Sequence, residues 1–313
     1  MASTPVAVLD IGSNSIKILV ATRAPDGGVA PVRFRTIDAR IGAGISRTEP
    51  RLGEDAMTRG LEAIRSLLAD AADCPPERIR LVATSAVRDA RNGGEFRRRV
   101  ADATGHEIRI LTGEEEANLI GRGLTCDPAL RAWQDFYVFD LGGGSLECLA
   151  FRGRRIEQAR SLQLGCVRLT EKFVADPSAP LSADVLARIK EHTCDVLRTS
   201  GFAFSLPGGT GAIGTGGTVS TVRAILAARD GVSFERTNPE VTVGQLGQLL
   251  DWLGALSLAQ RRLIPGLPPA RADVFPTALA TVVAVAEAGS FPGFRHSVHN
   301  LRYGLADEML GDG

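Results

Sequence analysis

The sequence has no net charge, because 36 Asp and Glu residues balance 36 Lys and Arg residues. A strongly basic chain would indicate a nucleic-acid partner. We therefore predict no nucleic-acid binding, and any polyanion must be held by a local patch. Lysine is scarce and occurs only as Lys17, Lys172 and Lys190. The arginine guanidinium suits phosphate oxygens, but a genome-wide base bias produces the same excess, so this count carries little weight.

The sequence also lacks paired cysteines and long apolar runs. Its cysteines are odd in number and include no Cys-x-x-Cys pair; they are Cys74, Cys126, Cys148, Cys166 and Cys194. This pattern argues against a zinc site or a disulfide framework and favours a reducing compartment. The most apolar run, residues 278–286, is far shorter than the ~20 residues of a membrane-spanning helix. No signal-peptide core precedes Asp10. We expect a cytoplasmic protein without a membrane partner.

The glycine-rich stretch from Phe139 to Glu147, Phe-Asp-Leu-Gly-Gly-Gly-Ser-Leu-Glu, follows an apolar run that predicts a buried strand. Glycine permits positive φ and close approach, so successive N–H groups can converge on phosphate oxygens. Asp140 and Glu147 would repel such an anion unless a cation lay between them, and Mg²⁺ is the hard cation that binds beside phosphates. A hairpin with a flexible turn is the alternative.

A second copy of this stretch begins the chain. Asp10 aligns with Asp140 at one fixed offset, Gly12 with Gly142, and Ser15 with Ser145, whereas Lys17 takes the place of Glu147. Repetition at a long interval predicts two halves built alike. The length of 313 residues is sufficient for two domains of about 100–200 residues. If both turns face one cleft, a cation and a carboxylate pair form a metal-assisted phosphate site.

The paired Asp-x-Gly turns resemble the superfamily of actin, sugar kinases and heat-shock chaperones. Within this superfamily, the motif DIGSNS followed by the motif DLGGGS-x-E most resembles the exopolyphosphatase and guanosine pentaphosphate phosphatase family. This resemblance spans Asp10 to Gly304. It implies an α/β fold of two ribonuclease-H-like (actin-like ATPase) domains facing an interdomain cleft, with boundaries at 1–117 plus 300–313 and 118–299. Longer members add a helical phosphohydrolase domain, which we do not expect here because no His-Asp doublet is present.

The strand predicted for residues 79–83 continues into Thr84-Ser85 before a helical segment. Hydroxyl groups and helix N-terminal amides at such an edge favour an anion, and Arg88 could then donate two bonds to phosphate oxygens. The alternative is an arginine on a solvated helix. The segment resembles the family's TSA-x-R-x-A-x-N stretch, which favours phosphate binding by Arg88.

Three successive glutamates, Glu114, Glu115 and Glu116, follow the strand predicted for residues 108–111. Capping and the helix macrodipole explain acidic residues in a first turn. The segment resembles the family's SGEEEA-x-x-I stretch, in which the glutamate directly before the alanine is the catalytic base. The resemblance thus implies that Glu116 is the base and that Glu114 and Glu115 begin the helix.

A third glycine turn, Gly214-Thr-Gly-Gly-Thr218, also joins a strand to a helix and presents amides and hydroxyls to an anion. In the superfamily this position contacts the nucleotide or distal phosphates. The sequence allows two roles for each of two further arginines. Arg168 either faces the ligand or pairs with Glu171, and Arg302 either faces the cleft or anchors the last helix. The 267–273 loop resembles a family segment without a clear chemical role.

The predicted site assigns catalysis to Glu116 and Mg²⁺ binding to Asp140 and Glu147. The predicted phosphate-binding residues are Asp10, Ser13, Asn14, Arg88, Gly142, Gly143, Gly144, Ser145, Gly216, Gly217 and Thr218. The resemblance implies hydrolysis of terminal phosphate from inorganic polyphosphate, with guanosine pentaphosphate as the alternative substrate. A phosphotransferase or ATP-driven machine, and a silent polyphosphate sensor, are further alternatives. Whether the chain forms a homodimer is open.

Overall fold

Two mixed β-sheets organise the chain, and the computed structural model describes residues 4–311. Contacts divide the chain into two units. The first unit is Met1–Ala132 with His299–Gly313, and the second unit is Trp133–Val298. Residues 1–3 and 312–313, which the predicted first domain includes, lie outside the described residues.

The sheet of the first unit has the strand order β3-β2-β1-β4-β5. Its strands are β1 (Val6–Ile11), β2 (Ile16–Arg23), β3 (Val29–Ile37), β4 (Ile79–Ala83) and β5 (Ile108–Ile110). Strands β1, β2 and β3 are antiparallel neighbours, whereas β4 runs parallel to β1 and β5 runs parallel to β4. The helices of this unit are α1 (Glu54–Ala69), α2 (Ser85–Asp89), α3 (Gly93–Thr104), α4 (Gly113–Thr125) and, at the end of the chain, α11 (Leu301–Gly311).

The sheet of the second unit has the order β10-β11-β9-β6-β7-β8. Its strands are β6 (Phe136–Leu141), β7 (Leu146–Arg152), β8 (Arg155–Leu162), β9 (Ala212–Thr215), β10 (Glu240–Thr242) and β11 (Gly293–His296). Its helices are α5 (Cys166–Phe173), α6 (Ala183–Thr199), α7 (Gly216–Asp230), α8 (Val243–Gly254), α9 (Leu258–Arg261) and α10 (Phe275–Gly289). Short 3-10 helices cover Pro76–Arg78, Pro128–Leu130, Phe234–Arg236 and Pro269–Arg271.

Both sheets follow one plan. In the second unit the order β8-β7-β6-β9-β11 repeats the order β3-β2-β1-β4-β5 of the first, with β10 added at the edge. The first three strands are antiparallel in each case, and the next two run parallel to the first. This shared order confirms the predicted fold class, an α/β fold of two ribonuclease-H-like, actin-like ATPase domains.

Helix α10 contains the most apolar run of the sequence, and its residues from Phe275 to Ala286 are all buried. The helix packs on α6, α8 and α5, so it is covered on several sides and needs no polar face. Among residues 4–311, no helix combines the length and the apolar character needed to cross a membrane.

Helix α4 belongs to the first unit because it crosses α11 at backbone contact. A Cβ atom at Gly123 would overlap the carbonyl oxygen of Asn300, and one at Gly304 would overlap that of Leu119. The predicted boundary between residues 117 and 118 therefore falls inside a continuous helix. The two units instead divide after Ala132 and after Val298.

Candidate active site

The β1–β2 turn of the first unit carries Asp10, which lies opposite Lys17 in the antiparallel ladder. Arg302 at the start of α11 donates from Nη1 to Asp10 Oδ2 at 3.1 Å. Arg302 is only 4% exposed, and its Nε is a buried donor with no partner among the described residues. Arg302 therefore lies in the first turn of the last helix and binds the Asp10 carboxylate of the first motif.

Ser13 and Asn14 form the buried tip of this turn. Ser13 Oγ lies 3.0 Å from Ser85 Oγ at the start of α2, which joins two motifs that are distant in sequence. Gly42 N donates to Ser13 O at 2.8 Å, and a Cβ at Gly42 would lie 2.6 Å from Ser13 Cβ. Asn14 reaches Asp38 only at 3.5 Å, and its buried amide oxygen has no partner within residues 4–311.

Arg88 and Glu116 form an ion pair in the first unit. Arg88 Nη1 donates to Glu116 Oε2 at 2.7 Å and to the carbonyl oxygen of Leu111 at 3.1 Å. The guanidinium comes from the short helix α2, and the carboxylate comes from the first turn of α4. The predicted phosphate-binding arginine therefore contacts the predicted base directly. A guanidinium has five N–H donors, so one group can hold the carboxylate and also donate to a phosphate oxygen.

The three successive glutamates in the first turn of α4 lie in different environments. Glu115 forms a capping box with Thr112, in which Thr112 N donates to Glu115 Oε2 at 2.7 Å and Glu115 N donates to Thr112 Oγ1 at 3.1 Å. These bonds, together with Arg109, lower the pKa of Glu115. Glu114 is exposed, whereas Glu116 is buried. Only Glu116 is therefore enclosed by the fold and held by an arginine.

The glycine turn of the second unit is oriented by α5. The carbonyl oxygens of Gly142 and Gly143 accept from Cys166 N at 3.0 Å and Val167 N at 2.8 Å. The carbonyl oxygen of Gly144 accepts from Arg168 Nε at 2.9 Å. A planar trans peptide directs its N–H opposite its C=O. The amides that follow these carbonyls, those of residues 143, 144 and 145, therefore point away from α5 and can converge on an anion.

Two residues that sequence reasoning did not assign shape this turn. A Cβ at Gly165 would overlap the backbone carbons of Gly143 and Gly144, so only glycine allows α5 to approach. Arg168 is buried and supports the turn through Gly144, a contact that sequence reasoning did not predict. Both residues belong to the Leu-Gly-Cys-Val-Arg stretch, which resembles a family motif. Their role could not be predicted because it depends on which loop α5 contacts.

Asp140 and Glu147 are direct partners across the β6–β7 ladder. Directly opposed side chains of an antiparallel pair have Cβ atoms about 4.5–5.5 Å apart, and like charges there are destabilising. Glu147 is 2% exposed and accepts from Ser161 Oγ at 2.8 Å. This register pair, a half-buried Asp140 and a buried Glu147, thus lies at the base of the glycine turn, where the first unit has Asp10 opposite Lys17.

The donor set at this pair suits Mg²⁺. That ion is commonly bound by one or two carboxylates together with waters and substrate phosphates, not by a full protein cage. Within residues 4–311 no group of three or more His, Cys, Asp or Glu side chains forms a metal cage. Burial raises the pKa of Cys148 and Cys166, so both thiols beside the turn stay protonated. The two carboxylates are the oxygen donors that a magnesium–phosphate complex would use.

The third glycine turn lies beside Asp140. Gly216 has φ +79°, and a Cβ there would overlap Asp140 Oδ1. Thr218 is fully buried and donates from Oγ1 to the carbonyl oxygen of Leu141 at 3.0 Å. Its hydroxyl proton is therefore used within the fold, and the phosphate contact predicted for Thr218 would have to come from its backbone N–H.

Arg271 supplies a cation at this third turn, which the sequence analysis did not assign. A Cβ at Gly217 would overlap Arg271 Nη1, and the same nitrogen donates to Thr221 Oγ1 at 3.2 Å. Its Nε is buried without a partner among the described residues. The predicted residues thus form one group in each unit, and Arg168 and Arg271 join the group of the second unit.

Similar solved structures cover nearly the whole chain. An exopolyphosphatase from Cytophaga hutchinsonii is 23% identical with a TM-score of 0.87, covering 99% of this chain and 98% of that chain. A Ppx/GppA family member from Aquifex aeolicus is 25% identical with a TM-score of 0.75, covering 99% of each chain. An exopolyphosphatase-like protein is 26% identical with a TM-score of 0.84, covering 97% of each. The first of these likenesses establishes the fold.

A family model described as the Ppx/GppA phosphatase family matches residues 20–312. The match includes the glycine turns of the second unit and the Arg88 and Glu116 segments, while the Asp10 turn precedes it. Because the match spans far more than half of the sequence, this chain belongs to the Ppx/GppA phosphatase family.

Proposed function

We propose that this phosphatase is an exopolyphosphatase, which releases terminal orthophosphate from inorganic polyphosphate in a Mg²⁺-dependent hydrolysis. The observation that carries the proposal is the pairing of Asp140 with Glu147 at the base of a turn whose amides point away from α5. A pair of opposed carboxylates beside amide donors suits a phosphate that arrives with a divalent cation.

Residues of both units have roles in the proposed reaction. Asp140 and Glu147 would hold Mg²⁺, which supplies charge neutralisation on the phosphate oxygens when bound. The amides of residues 143–145 donate to the oxygens of the terminal phosphate. The remaining phosphate-binding roles go to Asp10, Ser13, Asn14, Arg88, Gly142, Gly216, Gly217 and the backbone of Thr218. Arg271 adds a cation at the third turn.

Glu116 is the proposed base. It accepts a proton from water, the water oxygen forms a bond to the terminal phosphorus, and the bridging P–O bond breaks. The products are orthophosphate and a polyphosphate chain that is shorter by one phosphate. Arg88 orients the Glu116 carboxylate at 2.7 Å, so the base is in place before substrate arrives. Positioning and charge neutralisation are the main contributions of a protein to phosphoryl transfer.

The test measures orthophosphate release from long polyphosphate with and without Mg²⁺, beside guanosine pentaphosphate and ATP. We expect Mg²⁺-dependent release from polyphosphate, and Glu116→Gln as the matched inactive protein. Release from ATP alone would replace the proposal with an ATP-driven machine, and transfer of phosphate to ADP without free orthophosphate would replace it with a phosphotransferase. Binding of polyphosphate with no release by the wild-type protein would identify a sensor.

A further inference from the structure

Arg261, the last residue of α9, is a fully buried cation that the proposed reaction does not use. Its side chain is 0% exposed, and the helix that presents it begins with a capping box between Ser257 and Gln260. Burial lowers the pKa of Arg261, because the charged form loses its contact with water. The hydrogen bonds of this guanidinium must therefore offset the loss of hydration.

All five N–H groups of Arg261 donate to backbone carbonyl oxygens. A guanidinium has five such donors. The acceptors are Leu256 O at 3.2 Å from Nε, Ala272 O at 2.9 Å and Asp273 O at 3.5 Å from Nη1, and Pro177 O at 3.0 Å and Ala179 O at 2.9 Å from Nη2. Arg261 therefore has no donor left for a ligand, and its whole bonding capacity is used within the fold.

The five carbonyl groups come from three segments that are distant in the sequence. Two lie in the loop between α5 and α6, one lies in the turn between α8 and α9, and two lie directly before α10. The first two segments are also joined by a backbone bond from Leu258 N to Ser178 O at 2.9 Å. Backbone bonds within residues 268–274 are local, so Arg261 supplies two bonds that tie this segment to the rest of the unit.

Ala272 is the chain neighbour of Arg271, the cation at the third glycine turn. Arg271 Nη1 donates to Thr221 Oγ1 at 3.2 Å, and its Nε has no hydrogen-bond partner within the part of the chain that the structure describes. The side chain is half-buried. Arg271 therefore keeps donors that a phosphate oxygen could accept, whereas Arg261 keeps none. One arginine is suited to the ligand, and the other holds the backbone beside it.

We propose that Arg261 is a positioning residue for phosphate binding, which fixes residues 271–273 before a ligand arrives and so holds the Arg271 guanidinium beside Gly217. This inference gives a role to the 267–273 loop, and it rests on the proposed function, in which Arg271 adds a cation at the third turn. Groups that are ordered in advance bind with a smaller entropy cost. Lysine cannot replace Arg261 fully, because it has three donors for five carbonyl oxygens.

The test is a double-mutant cycle on the Kd of a methylene-bridged tripolyphosphate, which is not hydrolysed, measured by titration calorimetry with Mg²⁺. We expect Arg271→Ala to raise the Kd roughly 10- to 100-fold, the range of one lost hydrogen bond between charged groups. Arg261→Lys should raise the Kd roughly 3- to 30-fold when Arg271 is present, the range of coupling within one network. In the Arg271→Ala background the same lysine should have no effect.

Arg223→Lys is the matched control. Arg223 is another buried arginine of the second unit, and its Nη2 donates to the carbonyl oxygens of Phe234 and Thr237, both at 3.0 Å. We expect this variant to lose thermal stability as Arg261→Lys does and to bind the analogue with the wild-type Kd. A Kd increase that follows from lower stability alone would appear in both lysine variants and would overturn the inference.

Hydrogen exchange of the wild-type protein gives a second test that does not depend on the folding of a variant. The amides of Arg271 and Val274 donate to Pro268 O at 2.8 Å and to Arg271 O at 3.2 Å. If the segment is fixed in advance, these amides should exchange slowly without a ligand and change little when the analogue binds. Fast exchange that only the analogue slows would overturn the inference.

Three results of the cycle would also overturn it. These are a wild-type Kd for Arg261→Lys, an equal Kd increase by that lysine in both backgrounds, and no effect of Arg271→Ala. Absence of binding to the wild-type protein would have the same consequence.

The two proposals fail separately. If the wild-type protein binds the analogue but releases no orthophosphate from polyphosphate, the proposed function is wrong, and the cycle still decides the role of Arg261. If polyphosphate is hydrolysed but Arg261→Lys binds the analogue as tightly as wild type, the positioning role alone is wrong.

Discussion

Asp140 and Glu147 stand opposite each other in the β6–β7 ladder, at the position where the first unit pairs Asp10 with Lys17. One copy of the duplicated motif therefore has an attractive pair and the other a repulsive pair. Like charges directly opposite each other are destabilising, so we expect this pair to lower the stability of the second unit when no cation is bound. The duplicated motif has thus kept its backbone while its charge chemistry has diverged.

Replacing Glu147 by Gln should raise the thermal midpoint in EDTA by about 2–4 °C, the shift that follows from about 1 kcal/mol in a unit of this size. Gln removes the repulsion and keeps an acceptor for Ser161. If Mg²⁺ binds at this pair as proposed, it should raise the thermal midpoint of the wild-type protein, and the same variant should lose most of that increase. Ser161→Ala is the control because it removes the hydrogen bond to Glu147 without changing charge. A lower midpoint of Glu147→Gln in EDTA would contradict this account.

Replacing Glu116 by Gln should lower kcat by ~10²-fold or more, the usual loss with a general base. Gln still accepts a hydrogen bond from Arg88, so the thermal midpoint should change little. Steady-state phosphate release and a thermal scan check the two expectations. Glu115→Gln is the matched control, because Gln also completes the capping box. Turnover near that of wild type in Glu116→Gln would remove Glu116 from the catalytic role.

Replacing Arg88 by Ala should impair both stability and turnover. The change leaves the Glu116 carboxylate buried without its guanidinium partner, which costs about 1–3 kcal/mol. Arg88→Lys keeps the charge but loses the planar fork, so we expect it to recover stability more than turnover. Urea unfolding and kcat/KM for polyphosphate separate these effects. Equal recovery of both quantities by lysine would show that only charge matters at this position.

Replacing Gly165 by Ala should destabilise the second unit by about 1–3 kcal/mol, the usual cost of overpacking. The added methyl group would overlap the backbone of Gly143 and Gly144, so the glycine turn must shift. Weaker binding of tripolyphosphate should accompany the loss of stability. Gly247→Ala in α8 is the control, since nothing lies within 4 Å of a Cβ there. Unfolding midpoints and calorimetry provide the measurements, and wild-type values for Gly165→Ala would exclude this role of the glycine.

The pH dependence of stability should include a contribution from Asp307 in α11. Burial alone raises the pKa of Asp307, but hydrogen bonds from Arg23 and Arg122 outweigh it and lower the pKa below its ordinary value. The stabilisation is therefore present above the unfolded pKa of about 3.9 and is lost as the pH falls through the lower folded pKa. Asp307→Asn should cost about 1 kcal/mol at pH 7. Urea unfolding should show a smaller difference in unfolding free energy between wild type and Asp307→Asn at pH 3 than at pH 7. An equal difference at the two pH values would contradict the expectation.

Residues that share one local motif were predictable from the sequence. Each copy of the motif is a strand–turn–strand unit in which side chains alternate between the two faces. This local pattern is sufficient to align Asp10 with Asp140 and to place Lys17 where the other copy has Glu147. The family resemblance singled out Glu116 among three glutamates, and its burial agrees with a position different from that of its neighbours. Whether these residues bind and hydrolyse phosphate stays a prediction.

Contacts between motifs were not predictable from the same patterns. Arg88 and Glu116 are joined by the placement of α2 beside α4, and the sequence marked both without linking them. The sequence also did not predict that Arg168 supports Gly144, a contact that forms because α5 approaches the glycine turn through Gly165. The observed domain boundary also differs from the predicted one, because the α4–α11 contact depends on two glycines that are far apart in the chain. Such features depend on tertiary packing, which local spacing does not encode.

The backbone contact between α4 and α11 ties the catalytic candidate to the end of the chain. Because Gly123 and Gly304 leave no space for side chains at the crossing, a larger residue at either position would push the two helices apart. The distance between Glu116 on α4 and Arg302 on α11 therefore depends on this close packing of the two helices. Helix α11 therefore helps to position Glu116, the proposed base, which lies almost two hundred residues earlier in the sequence.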